Sequence, residues 1–169
     1  MRANELKQRA LGLLARREHS EQELIRKLEG RGFSRSDIAR VMAELKQDGS
    51  QSDRRFTDSY IYHRIQRGYG PLRIRQELRE RGIEDGIISV ALDENGEDWM
   101  SRLKDVHAKK FGTALPAGPR EQARQSRFLQ YRGFTPEQIR RLFNGEWEIG
   151  NGVLRDASPE PPQTSPREF

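Results

Sequence analysis

The sequence predicts an all-α protein built from three tandem three-helix repeats. Three observations carry this. Apolar residues recur at helical period almost throughout, a helix-ending signature returns about every fifty residues, and the composition is too polar for one thick core. The chain has 169 residues, of which 33% are hydrophobic and 34% charged, with a mean hydropathy of -0.96. By length it could form one ordinary domain. That composition instead favours thin layers of helix, each burying a single stripe.

Leu6, Ala10, Leu13 and Leu14 form the first stripe, Leu24 and Leu28 the second, and Ile38, Val41, Met42 and Leu45 the third. Helix starts are marked as well. Ser20-Glu21-Gln22-Glu23 reads as a capping box, and Thr135-Pro136-Glu137-Gln138 as a stronger one with proline at the first helical position. Asp53 is a plausible N-cap, and Gly70-Pro71 and Gly118-Pro119 also look like starts. Three stretches then repeat: Lys27 to Phe33, Glu77 to Ile83 and Phe128 to Phe134 each run from a helix end through Arg-Gly to an apolar residue. Ile38, Ile88 or Ile139 follows five residues later. Gly32, Gly82 and Gly133 fit the left-handed position that ends a helix. Helices are therefore expected near 4–17, 20–30 and 34–48; 53–67, 70–81 and 84–93; and 96–111, 119–131 and 135–144. The repeats span 1–50, 51–95 and 96–145. No alternation of period two is evident, so no sheet is expected. Residues 146–169, acidic and proline-rich, are expected to be disordered.

Several functional classes are excluded. There is no cysteine, hence no disulfide, thiolate metal site or cysteine nucleophile. His19, His63 and His107 lie in different repeats with no ligand pair nearby, so they read as solvated or core-edge residues. Gly68-Tyr69-Gly70 follows a helix rather than a strand and reads as a turn, not a phosphate loop. No nucleophile elbow, HExxH or P-loop is present, so no catalytic residue, cofactor or metal is expected and the chain is read as non-enzymatic. It has no apolar window near the ~18 residues of a membrane span, and Met1 to Arg9 lacks the apolar region of a secretory signal. A cytoplasmic protein without membrane contact is expected.

The charge is uneven. Net charge is +5 and 25 of the 31 basic residues are arginine. The body to Gly145 carries +8 and the rest -3. A basic body suits a polyanionic or acidic partner. From Arg54 to Gly82 the balance is again +5, with Arg54, Arg55, Arg64, Arg67, Arg73, Arg75, Arg79 and Arg81 opposed only by Asp58, Glu77 and Glu80. Arg75 and Arg79 stand i, i+4 beside the apolar pair Ile74 and Leu78. Arg73, Arg75, Arg79 and Arg81 are expected to share one basic face. These eight arginines, with Tyr69, are the candidate binding residues.

Several stretches resemble the RecX family. Arg17 to Leu28 is similar to its first-repeat signature and Ser52 to Phe56 to the opening of its second. Gly68-Tyr69-Gly70-Pro71-Leu72-Arg73-Ile74-Arg75-Gln76-Glu77-Leu78 is the most specific match, and Arg127 to Phe134 resembles the third-repeat signature. The chain departs at Ser50-Gln51-Ser52, where many relatives carry an aromatic or aliphatic pair. The resemblance implies an elongated, curved, solenoid-like stack. It also implies a monomer that binds the RecA–DNA filament, with direct contact to single-stranded DNA left open, and restrains the recombinase without catalysis. Asp53 and Phe56 correspond to a structural helix start, and Tyr69, Pro71, Arg73, Arg75 and Glu77 to the family's Gly-Tyr-Gly-Pro helix. The alternative from charge alone is a general helical DNA- or RNA-binding module.

Overall fold

The computed structural model describes residues 2–94, 98–149 and 152–155, with side chains described for 4–94 and 98–146. The first repeat comprises α1 (Arg2–Leu14), α2 (Glu21–Glu29) and α3 (Arg35–Gln47); the second α4 (Asp53–Gln66), α5 (Pro71–Glu80) and α6 (Asp85–Glu94); the third α7 (Trp99–Phe111), α8 (Pro119–Arg132) and α9 (Pro136–Phe143). Within each repeat every helix packs on the other two. Each repeat buries its own core. Leu6, Leu24, Leu28, Ile38 and Leu45 anchor the first, Phe56, Ile61, Ile74, Leu78 and Ile88 the second, and Leu103, Leu129, Phe134, Ile139 and Leu142 the third. Trp99, half-buried, packs against both the second and third.

The expected helix ends are in place. Gly32, Gly82 and Gly133 have φ of 83°, 79° and 100°, and the Ile five residues beyond each following apolar residue is buried. Thr135 and Gln138 form the reciprocal capping box. At α2 only half of one forms: Ser20 accepts from the Glu23 amide at 3.1 Å, while the Glu23 carboxylate turns to Arg17 at 3.0 Å. Asp53 is not the cap of α4. Ser52 takes that role, accepting from the Arg55 amide at 3.2 Å, and Asp53 reaches into the first repeat to accept the Glu21 amide at 2.8 Å.

The sequence reading misses one element. β1 (Glu146–Ile149) and β2 (Gly152–Arg155) pair antiparallel, Glu146 opposite Arg155, as a hairpin after α9. Four-residue strands are too short to register as alternation, and the Gly150-Asn151 pair between them is a hairpin-turn signal. Residues 156–169, part of the segment expected to be disordered, lie outside the described residues.

The repeats meet through helix ends. Between the first two, the Ser20 hydroxyl donates to the Arg81 carbonyl at 2.9 Å, and buried Gln51 donates to the His19 carbonyl at 3.3 Å and to Asp53 at 2.9 Å. The polar Ser50-Gln51-Ser52 therefore docks the repeats by hydrogen bonds. Between the second and third repeats the seam is backbone on backbone: the Gly70 amide donates to the Arg132 carbonyl at 2.8 Å and the Leu72 amide to the Gly133 carbonyl at 3.0 Å. The start of α2 thus meets the end of α5, and the start of α5 meets the end of α8, so backbone dipoles abut with opposite signs. A compact globule of this length would have a radius of gyration of about 15–16 Å. Residues 1–150 are expected to scatter with a clearly larger value, because separate cores stack rather than merge; the compact value would contradict the stack.

Candidate binding surface

Glu77 is the hub of the second repeat. Its carboxylate accepts from Arg64 Nε at 2.7 Å, Tyr60 Oη at 2.8 Å and Arg73 Nε at 3.0 Å. Its main-chain carbonyl accepts from Arg81 at 2.8 Å. Burial pulls the Glu77 pKa upward, but the hydrogen bonds from Arg64, Tyr60 and Arg73 outweigh it and hold the carboxyl below the ordinary range. Burial, then the bond to Glu77, pushes the Tyr60 hydroxyl up to about 12. Around this hub rings and guanidiniums alternate. Arg64, Arg73 and Arg132 lie 3.9, 4.6 and 5.1 Å from the Tyr69 ring centre, and Arg81 lies 4.7 Å from that of Tyr60. Arg73 also donates to the Tyr131 carbonyl in the third repeat, and Arg81 approaches Glu23 in the first at 3.8 Å. Glu77 therefore touches both seams, through its carboxylate to Arg73 on one side and through its main-chain carbonyl to Arg81 on the other.

The nine candidate residues do not form one face. Arg73 and Arg81 turn toward Glu77 on one flank of α5; Arg75 and Arg79 occupy the other, donating to Ser89 Oγ at 2.9 Å and to Asp85 at 2.6 Å on α6. The single basic face expected on α5 is thus divided, because residues two apart on a helix point in very different directions. Leu72, Arg75 and Arg79 follow at i, i+3 and i+7, and Leu72 is 49% exposed, giving that flank an apolar contact beside two cations. Arg54 is tied to Asp58 and Glu94, and Arg55 to Glu18 at 2.9 Å. Most of the arginine excess in this repeat is therefore neutralised internally. Tyr69 and Arg64 are partly buried, the Arg64 side chain being only 16% exposed. Arg67 is different: it is exposed and has no carboxylate partner among the described residues.

Arg67 lines two grooves. One, of about 540 Å³, lies between the first and second repeats beside Arg17, Tyr60, Arg64 and Arg81. The other, of about 300 Å³, lies between the second and third beside Arg102, Lys109, Lys110 and Arg132. Sequence reading missed these last four, which come from α7 and α8, some 35 to 65 residues from Arg67. The only signal for them is the adjacent pair Lys109-Lys110. Buried His19 and His107 are hydrogen-bonded, His19 to the Arg17 carbonyl at 3.0 Å and His107 to Gln125 at 2.7 Å. No group of three His, Cys, Asp or Glu that could hold a metal ion occurs among the described residues. No helix among them is long and apolar enough to cross a membrane.

Three separately cored helical triplets, joined end to end and lined along their seams by arginine and tyrosine, define a tandem-repeat helical protein. Family models describing the first, second and third three-helix domains of RecX match residues 7–45, 52–92 and 97–143. The chain belongs to the RecX family. It is 45% identical over 136 residues to the regulatory protein RecX of Pseudomonas fluorescens, covering 80% of this chain and 88% of that one. It is 44% identical over 131 residues to that of Halorhodospira halophila, covering 78% and 81%. The fold is shared with the crystal structure of RecX from Lactobacillus salivarius, at a TM-score of 0.73 and 19% identity over 85% of this chain and 95% of that one.

Proposed function

We propose that this protein binds the RecA–DNA filament as a monomer and restrains the recombinase, lowering ATP hydrolysis and strand exchange without catalysing a reaction of its own. Carrying this reading is membership of the RecX family across all three repeats, with relatives named as regulatory proteins over most of their length. The flank of α5 bearing Leu72, Arg75 and Arg79 supplies a protein-facing contact, apolar and cationic together. The second reading, a general nucleic-acid module, is favoured by one observation, that Arg67, Lys109, Lys110 and Arg132 of one groove have no carboxylate partner among the described residues. Binding to single-stranded DNA with and without RecA separates the two. A regulator gains affinity or slows the recombinase when RecA coats the strand; a general module binds bare DNA and leaves RecA turnover untouched.

Reversing Arg75→Glu together with Arg79→Glu replaces two attractions by two repulsions on that flank. The fold is expected to survive, since Ile74 and Leu78 still fill the core. Inhibition of RecA strand exchange is expected to fall at least tenfold, and more steeply at low salt where charge is less screened. A folded double variant that inhibits like the wild type removes this flank from the function.

A further inference from the structure

We propose that the groove between the second and third repeats is a phosphodiester site that takes the backbone of a single, unpaired nucleic-acid strand. It deepens the filament reading above by assigning the strand contact to a different surface from the protein contact, and rests on that reading only for where the strand is met.

Cations outnumber acids in this groove. Arg67, Arg102, Lys109, Lys110 and Arg132 border it, and Asp105 is the one acid among them. On the flanks of α5 each arginine but Arg75 has an acid: Arg73 has Glu77, Arg79 has Asp85 and Arg81 has Glu23. Here Arg67, Lys109, Lys110 and Arg132 have no carboxylate within ion-pair distance among the described residues. Their positions are set by other means. Lys110 and Arg132 lie 5.6 and 5.2 Å from the Phe128 ring centre, and Arg132 donates to the Arg67 carbonyl at 3.0 Å. Phe128 is in turn braced edge-on by Phe111 at 5.3 Å. Ring faces and a carbonyl orient these cations without cancelling their charge, so an incoming anion meets them already placed.

Size and charge select the ligand. A space of about 300 Å³ admits one extended chain and not a duplex. Gly68, at φ of 79°, packs closely on Val106 in its wall, where a Cβ would lie 3.0 Å away. The uncompensated track is confined to this groove: the one between the first two repeats, which Arg67 also lines, has Glu18 and Glu23 among its arginines. A polymer with one negative charge per unit matches such a track; an acidic protein segment, charged at intervals, does not. Phe128 is a positioning residue: it holds Lys110 and Arg132 rather than bonding the phosphate.

The test uses the full chain and a fluorescein-labelled oligothymidylate, without recombinase, followed by anisotropy across a salt series. The wild type is expected to bind with a log–log salt slope of about -0.7 per phosphate engaged. Lys109→Gln with Lys110→Gln, both exposed on α7, is expected to keep the helical circular dichroism, weaken binding at least tenfold and flatten the slope by about 1.4. Phe128→Leu keeps the apolar filling but removes the ring, and is expected to weaken binding several-fold with a smaller change in slope. The Arg75→Glu, Arg79→Glu variant is expected to bind the strand like the wild type. Wild-type affinity and slope in the double lysine variant would overturn the proposal. So would no binding by the wild type, equal affinity for duplex, or equal displacement by polyglutamate. RecA inhibition measured in parallel separates the two readings: a wild type that binds the strand but leaves RecA unaffected upholds this site and rejects the filament function alone.

Discussion

Glu77→Leu is expected to lower the melting temperature by about 4–16 °C, a loss on the scale of a core truncation. The reason is the company it keeps. Arg64, its side chain mostly out of solvent, pairs with Glu77 and stacks on Tyr69. Tyr60 and Arg73 share the same carboxylate. A leucine leaves one partly buried guanidinium and one partly buried hydroxyl without their acceptor. Breaking such a pair from one side costs roughly 2–4 kcal/mol, toward the lower end here because Arg73 keeps its bond to the Tyr131 carbonyl. A chain of this size shifts by about 2–4 °C per kcal/mol. Glu77→Gln should lose less, since an amide oxygen still accepts from one arginine. The effect is pH-dependent with a definite sign. The folded-state pKa of Glu77 lies below the ordinary 4.5, so its contribution is complete above that value and fades as pH falls through the lower folded value. The gap in melting temperature between wild type and Glu77→Leu should therefore narrow on acidification below about pH 4.5. A constant gap from neutral to strongly acidic pH would show that the carboxylate's charge is not what holds the hub.

The fold was legible in the sequence because its punctuation is local. A left-handed glycine, the apolar residue after it and the isoleucine five further on lie within one short window, and the same window appears three times. Serine and threonine caps are equally local. The functional surface was less legible because charge pairing is not local. Arg73 with Glu77 and Arg54 with Asp58 stand at i, i+4 and could be paired on sequence alone. Arg64 with Glu77, thirteen residues apart, and Arg55 with Glu18, thirty-seven apart, could not. The arginine count of the second repeat therefore overstates its free charge. The groove that does keep its charge takes cations from the end of α4 (Arg67), from α7 and from α8, which only the stacking of repeats brings together. Asp53 illustrates the same limit. Its type and place suit an N-cap, yet the docked first repeat offers it the Glu21 amide, and Ser52 caps α4 in its stead.

The three equivalent glycines provide a direct measurement of the seams. Gly32, Gly82 and Gly133 share a positive φ, so alanine at any of them meets about 1 kcal/mol or somewhat more of backbone strain. Their surroundings differ. At Gly32 a Cβ would meet nothing within 4 Å. At Gly82 it would come within 2.6 Å of the Gln22 amide oxygen, the end of a flexible side chain. At Gly133 it would lie 2.4 Å from the Arg73 Cβ and 2.6 Å from the Arg73 backbone nitrogen, neither of which can swing away. On the other side of that contact a Cβ at Gly70, whose φ of -92° is ordinary, would lie 2.5 Å from the Gly133 carbonyl carbon, so Gly70 is there for closeness rather than for conformation. Gly133→Ala must part the second and third repeats and strain or break the Gly70-to-Arg132 and Leu72-to-Gly133 hydrogen bonds, each worth about 1 kcal/mol. We expect Gly32→Ala to melt about 2–4 °C below the wild type, Gly82→Ala slightly lower, and Gly133→Ala about 6–16 °C lower, from roughly 3–4 kcal/mol in total. Because the strain is common to all three, the excess at Gly133 over Gly32 isolates the seam. If the two variants melt together, the backbone junction between the second and third repeats does not form in solution, and the groove it creates beside Arg67 is lost with it.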